Sequence, residues 1–117
     1  MFVGGFLVYT DDQKARLLGV DSARIERHTA VSEEVALDLA ANAQARTGAS
    51  YALSVTGYAG PDGGTPQNPV GTVYLGLASP TGVKAKRFHF TGDRERVRRL
   101  ATQYALDMLR LALLKSE

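Results

Sequence analysis

The sequence contains no cysteine among its 117 residues, which excludes disulfide bonds, thiol nucleophiles and thiolate metal sites. His28 and His89 are the only imidazoles, and neither has a partner at the spacing of metal ligands, so we expect no metal site. No segment approaches the roughly 20 apolar residues that a membrane span needs. The first residues also lack the basic region and cleavage site of a signal peptide. We therefore expect a cytoplasmic protein with no membrane partner.

An excess of charge of one sign is also missing, since the net charge is only +2 and acidic and basic residues alternate over most of the chain. This distribution argues against a nucleic-acid-binding surface. One basic cluster stands apart at the start of the last predicted helix, and it consists of Arg94, Arg96, Arg98 and Arg99. It is either a solvated face balanced by Asp93 and Glu95 or a site for an anion.

The hydrophobic pattern predicts one domain over residues 1–117, with strands and helices in alternation. The first ten residues form a predicted buried strand, followed by short helices at 11–19 and 22–28. Ser32 is a good N-cap for a longer helix that Gly48 ends. Residues 51–56 are the next strand, and because a helix precedes them, we expect this strand to run parallel to the first.

The second half predicts a hairpin and a long helix. Residues 70–78 and 83–90 are strands joined by a turn at 79–82, and the lysines of the second strand mark it as an edge strand. Asp93 is the expected cap of a helix that ends near Leu114. The predicted fold is therefore α/β, a three-layer α/β/α sandwich on a mixed, mostly parallel sheet that ends in the hairpin.

The segment from Thr56 to Thr72 is the most informative, because it holds five of the twelve glycines and three of the four prolines. Glycine allows the backbone to approach a ligand closely, and proline removes flexibility, so this composition favours a rigid ligand-binding loop. The alternative is a tight connection without a ligand. The segment lacks the lysine of a P-loop and the glycine spacing of a dinucleotide-binding fingerprint.

The run TGYAGPDGGTPQNPVGTVYLGLA, with YTDDQKARLLGV, AVSEEVA and FTGDRERVRR around it, resembles the CinA C-terminal domain family over essentially the whole chain. The resemblance implies hydrolysis of the carboxamide of nicotinamide mononucleotide to nicotinate mononucleotide and ammonia, a step of pyridine nucleotide recycling. It also implies that no metal or other cofactor is needed. We further expect a homo-oligomer.

The same resemblance assigns roles to individual residues. In the family a serine attacks the amide, a lysine acts as its base and a tyrosine assists, and Lys14 and Tyr9 match the lysine and the tyrosine. Arg94 matches an arginine that could bind the substrate phosphate. The residues expected to line the substrate pocket are Thr56, Gly57, Ala59, Gly60, Gly63 and Gly64.

The family's serine has no counterpart in this chain. In the family it lies in a Gly-Ser-Ser turn, after a strand with flanking helices, and all of these precede the segment that matches Met1. Either the sequence begins at an internal methionine of a longer protein, or the protein is a shortened relative. A non-catalytic nucleotide-binding or oligomerisation module is therefore the alternative to an amidase.

Overall fold

The computed structural model describes residues 31–61 and 63–115. These residues form two helices and three strands, with the bounds α1 Glu33–Thr47, β1 Ala52–Gly57, β2 Thr72–Ser79, β3 Gly82–His89 and α2 Arg94–Lys115. The predicted strand in the first ten residues and the helices at 11–19 and 22–28 lie outside the described residues. No helix of this part of the chain is long and apolar enough to cross a bilayer.

Both helices begin at the caps that the sequence predicts. The Ser32 side chain accepts a hydrogen bond from the Val35 amide, and the Asp93 carboxylate accepts one from the Arg96 amide. Each bond satisfies an amide that the first turn of a helix leaves without a partner. Gly48 ends α1 with a φ of 72°, a conformation that glycine adopts without steric cost.

The three strands form an antiparallel sheet in the order β1-β2-β3. β2 follows β1 through a loop rather than through a crossover helix, so it returns in the opposite direction. The sequence predicts a mostly parallel sheet, whereas both pairs among these strands are antiparallel. The parallel partner predicted for β1 lies outside the described residues. The hairpin prediction is confirmed, since Ser79 pairs with Gly82 across Pro80 and Thr81.

The two helices cover opposite faces of the sheet, which confirms the three-layer arrangement. Val73 and Leu75 of β2 pack against Val97 and Ala101 of α2 on one face. On the other face α1 approaches β2 so closely that a Cβ at Gly76 would collide with the Ser54 hydroxyl and the Ala36 carbonyl oxygen. Glycine is therefore required at position 76 for this separation between α1 and the sheet.

Aromatic packing joins the middle of α2 to the end of β3. The rings of Phe88 and Phe90 are stacked with centroids 5.7 Å apart, and Tyr104 contacts each of them at 5.1 Å. These separations fall in the favourable range for aromatic pairs. β3 is largely exposed, as predicted for an edge strand, while Leu75 and Leu77 of the central strand are almost fully buried.

Candidate functional site

We call the loop between β1 and β2 the pocket loop, and the structure describes its residues 58–61 and 63–71. Its two ends continue the β1–β2 pairing, because the Tyr58 amide donates to the Thr72 carbonyl at 3.0 Å and the Gly71 amide donates to the Tyr58 carbonyl at 2.7 Å. At its far end, the Thr65 amide donates to the Asn68 carbonyl at 2.9 Å. The loop therefore extends the antiparallel pairing of β1 with β2 and closes in a turn, as expected for a rigid loop.

Close packing within the pocket loop explains part of its glycine content. Cβ atoms at Gly60 and Gly64 would lie 2.7 Å from Val70 Cγ1 and 2.8 Å from the Val70 amide nitrogen. Both glycines also have positive φ angles, and the peptide bond between Gly60 and Pro61 is cis. Side chains at these positions would force the two halves of the loop apart.

Arg94, the first residue of α2, contacts the first half of the pocket loop. Its Nη1 donates a hydrogen bond to the Gly60 carbonyl oxygen at 3.1 Å. This bond uses one of the five N–H groups of the guanidinium. The edge formed by Nε and Nη2 points away from that bond, and such an edge is suited to two parallel bonds with a phosphate or carboxylate.

Asn68 connects the second half of the pocket loop to three other parts of the fold. Its Oδ1 accepts hydrogen bonds from the Tyr74 hydroxyl at 3.0 Å and from Arg87 Nε at 3.4 Å. Its Nδ2 donates to the carbonyl of Val31, just before α1, at 3.4 Å. Arg87 Nη2 also donates to the Gln67 carbonyl at 3.2 Å. We call Asn68 with these partners the Asn68 network.

The N-termini of both helices lie beside the pocket loop, because Val31 and Arg94 each form a hydrogen bond with it. Each helix N-terminus carries about half a positive charge from the aligned peptide dipoles and from amides without helical partners. The same end of the sheet therefore collects two partial positive charges and the Arg94 guanidinium. Acidic side chains offset part of this charge, since Glu33 and Glu34 lie in the first turn of α1 and Glu95 in that of α2. The Arg94 guanidinium is therefore the group best suited to an anionic ligand.

Three buried hydroxyl groups lie on the α1 face of the sheet. Ser54 and Thr56 are each 7% exposed, and Thr72 is completely buried. The Ser54 hydroxyl donates to the Ala36 carbonyl at 2.7 Å. Thr72 Oγ1 has no hydrogen-bond partner within residues 31–61 and 63–115. Since Thr56 pairs with Tyr74 in the register, Thr56 and Thr72 are near neighbours at the loop end of this face.

A polar cavity of about 420 Å³ borders the Asn68 network. Its walls combine the start of α1 with the sheet and the loop, and the lining residues are Ser32, Glu33, Glu34, Asn68, Tyr74 and Arg87. The cavity lies on the α1 side of the sheet, whereas Arg94 belongs to the helix on the other side. The pocket loop therefore separates two polar surfaces.

The structure brings most of the sequence-predicted site residues to this end of the sheet. Thr56 and Gly57 are the last two residues of β1, with Thr56 on the α1 face, and Gly60, Gly63 and Gly64 follow in the pocket loop. Ala59 also lies in the pocket loop, and its side chain packs against the core beneath α2. Tyr9 and Lys14 lie outside the described residues.

Sequence reasoning missed Asn68, Tyr74 and Arg87. Asn68 lies between prolines in a turn, where asparagine is common for local reasons. Tyr74 belongs to an apolar strand, and Arg87 belongs to a basic edge strand that needs no ligand to explain it. Only the fold brings these three side chains together, since Arg87 is 19 residues away from Asn68.

Comparison with known proteins gives one consistent family. The family model described as "CinA C-terminal domain" matches residues 1–113. The chain belongs to the CinA C-terminal domain family. A CinA-like protein of Myxococcus xanthus is 48% identical over 115 residues, and one of Citrifermentans bemidjiense is 50% identical over 113. Each match covers 97% of this chain but only 27% of the relative.

Solved structures of CinA-family proteins share the fold. The competence/damage inducible protein CihA from Agrobacterium tumefaciens superposes with a TM-score of 0.88 at 37% identity, covering 92% of this chain and 66% of that one. A CinA superfamily protein from Escherichia coli gives a TM-score of 0.82 at 39% identity, covering 86% and 59%. The chain thus spans 27% of these curated CinA-like relatives and 59–66% of these solved chains.

Proposed function

We propose that this CinA-family chain provides the substrate pocket of an amidase that hydrolyses the carboxamide of nicotinamide mononucleotide, giving nicotinate mononucleotide and ammonia. The main supporting observation is the hydrogen bond that ties Arg94, at the N-terminus of α2, to the pocket loop, at the sheet end where the Thr56 hydroxyl is buried on the opposite face. The substrate carries a phosphate, which suits the positive N-terminus of α2. Its pyridine ring and carboxamide would lie along the loop.

In this proposal Arg94 binds the phosphate through the Nε and Nη2 edge while Nη1 remains bonded to the Gly60 carbonyl. Arg94 therefore has two tasks, since the same guanidinium also fixes the first half of the pocket loop. Thr56, Gly57, Gly60, Gly63 and Gly64 line the pocket, with hydroxyl and main-chain groups as hydrogen-bonding partners. Ala59 lies in the same loop, and its side chain also packs the loop onto the core.

The chemical step requires three groups in the family's Ser-Lys arrangement. Lys14 takes the proton of the attacking serine and Tyr9 assists, so both belong to the catalytic residues of this proposal. The serine belongs to the Gly-Ser-Ser turn that this sequence does not contain. In the 117-residue chain we therefore propose substrate binding with slow turnover.

Two proteins test the proposal. The first is the 117-residue chain, for which calorimetry measures binding of nicotinamide mononucleotide. The second is a chimera in which the segment with the Gly-Ser-Ser turn, taken from a family member that contains it, precedes Met1, and for which ammonia release is measured. Binding by the chain together with ammonia release by the chimera at roughly 1 per second or more supports the amidase. Absence of binding in both proteins would refute it.

The alternative is a non-catalytic nucleotide-binding or oligomerisation module, which predicts binding without turnover even in the chimera.

We also propose that the chain forms a homo-oligomer, because Leu106 and Leu114 of α2 are 57% and 53% exposed on a helix that could pack against a second copy. Sedimentation equilibrium measures the mass in solution. A monomer at micromolar concentration would contradict this second proposal.

A further inference from the structure

The Asn68 network holds the second half of the pocket loop, and Arg94 holds the first half. Asn68 is the centre of this network because its carboxamide uses both of its ends, with two donors on Oδ1 and one acceptor for Nδ2. Its main chain is also bonded twice, since its amide donates to Thr65 Oγ1 at 2.9 Å and its carbonyl accepts from the Thr65 amide at 2.9 Å. No other side chain of the described pocket loop makes so many contacts.

From these contacts we infer that Asn68 is a positioning residue for the substrate pocket: it fixes the second half of the pocket loop against α1, β2 and β3. The inference rests on the proposed function only where it concerns substrate. The loop needs this second support because the bond between Arg94 and Gly60 lies near the start of the loop, whereas Asn68 lies near its end.

Geometry separates the strong contacts of the network from the weak ones. The bond from the Tyr74 hydroxyl is 3.0 Å long and partly buried, so it is a well-formed hydrogen bond. The bonds that involve Arg87 Nε and the Val31 carbonyl are each 3.4 Å long, and Arg87 is solvent-exposed. Tyr74 should therefore contribute more to the position of Asn68 than Arg87 does.

Four variants test the inference. Asn68→Ala removes all side-chain contacts, Asn68→Asp keeps the acceptor for Tyr74 and Arg87, and Tyr74→Phe removes only the hydroxyl. Gln67→Ala is the matched control, because only the main-chain carbonyl of Gln67 contacts Arg87 and the substitution keeps that group. Hydrogen exchange of the Thr65, Asn68 and Gly71 amides reports the loop, and the amide of Val97 in α2 reports the rest of the fold.

We expect Asn68→Ala to raise exchange of the Thr65 and Asn68 amides about tenfold while exchange at Val97 is unchanged. Tyr74→Phe should give an intermediate increase, Asn68→Asp should restore most of the protection, and Gln67→Ala should match the parent. The dissociation constant for nicotinamide mononucleotide should rise about fivefold in Asn68→Ala and recover in Asn68→Asp. In the serine-bearing chimera the Michaelis constant should follow this rise, with the turnover number changed less.

The binding measurements and the hydrogen-exchange measurements test different claims and can fail independently. If the parent chain does not bind the mononucleotide, the proposed function is wrong, and the exchange measurements still decide whether Asn68 fixes the loop. Unchanged exchange of the Thr65 amide in Asn68→Ala would overturn the inference. So would an equal rise in exchange at Thr65 and Val97, since that result indicates a general loss of stability. A fivefold loss of affinity in Gln67→Ala would also overturn it.

Discussion

The completely buried Thr72 hydroxyl allows a sharp test of the sheet's energetics, because its oxygen has no hydrogen-bond partner within the described part of the chain. Thr72→Val replaces this hydroxyl with a methyl group of nearly the same shape. A buried hydroxyl without a partner costs about 1–3 kcal/mol, and burial of one further methyl group contributes about 0.8 kcal/mol. Valine also favours strands. We therefore expect the variant to be more stable than the parent by about 1 kcal/mol, after allowing for imperfect repacking.

Ser54→Ala is the contrasting variant on the same face of the sheet. Ser54 is almost as buried as Thr72, but its hydroxyl donates a 2.7 Å hydrogen bond to the Ala36 carbonyl. Loss of that bond should lower the free energy of unfolding by about 1 kcal/mol. Thr72→Ser, which keeps the hydroxyl and removes the methyl group, should also be less stable than the parent.

Urea unfolding followed by circular dichroism measures the midpoint for each variant, and calorimetry measures the melting temperature. A gain of 1 kcal/mol corresponds to a rise of about 4 °C for a domain of this size. Thr72→Val should shift the midpoint upward and Ser54→Ala downward. A downward shift of similar size in both variants would show that the Thr72 hydroxyl makes a stabilising contact, and it would contradict this prediction.

Three other predictions concern the pocket and the packing beneath it. Arg94→Ala should weaken binding of nicotinamide mononucleotide about tenfold by calorimetry, whereas Arg98→Ala, which removes the same charge from an exposed position on α2, should change it little. In the serine-bearing chimera Lys14→Arg should nearly abolish ammonia release with little effect on affinity, because a guanidinium stays protonated at working pH; a third of the parental rate would refute the Ser-Lys mechanism. Gly76→Ala should lower the free energy of unfolding by about 2 kcal/mol in urea titrations, because the added Cβ would collide with the Ser54 hydroxyl and the Ala36 carbonyl oxygen. An unchanged free energy of unfolding would contradict the close approach of α1 to the sheet.

Local signals in the sequence predicted the helix ends and the hairpin well. The caps at Ser32, Gly48 and Asp93 depend on contacts within four residues, so the sequence contains all that determines them. The start of β2 is two residues later than predicted. Gly71 has a φ of 99° and forms part of the pocket loop, although its carbonyl still accepts a bond from the Phe90 amide.

The contacts of the site that could not be predicted join residues that are far apart in the sequence. The composition of the pocket loop indicated a rigid binding segment, and the family resemblance indicated Thr56 and Arg94. Neither the bond from Arg94 to Gly60, 34 residues apart, nor the contact between Asn68 and Val31, 37 residues apart, follows from any local pattern. Such contacts depend on how the helices are placed over the sheet, which single-sequence periodicity does not specify.

The shared location of the two helix N-termini beside the pocket loop has a consequence for how this part of the protein can evolve. Part of the preference for anions belongs to the peptide backbone, since it arises from main-chain amides and their aligned dipoles. No single substitution of a side chain can remove that part. Substitutions at or near Arg94 would therefore change how strongly the proposed site binds an anion and which anion it prefers. They would not by themselves turn it into a site for cations.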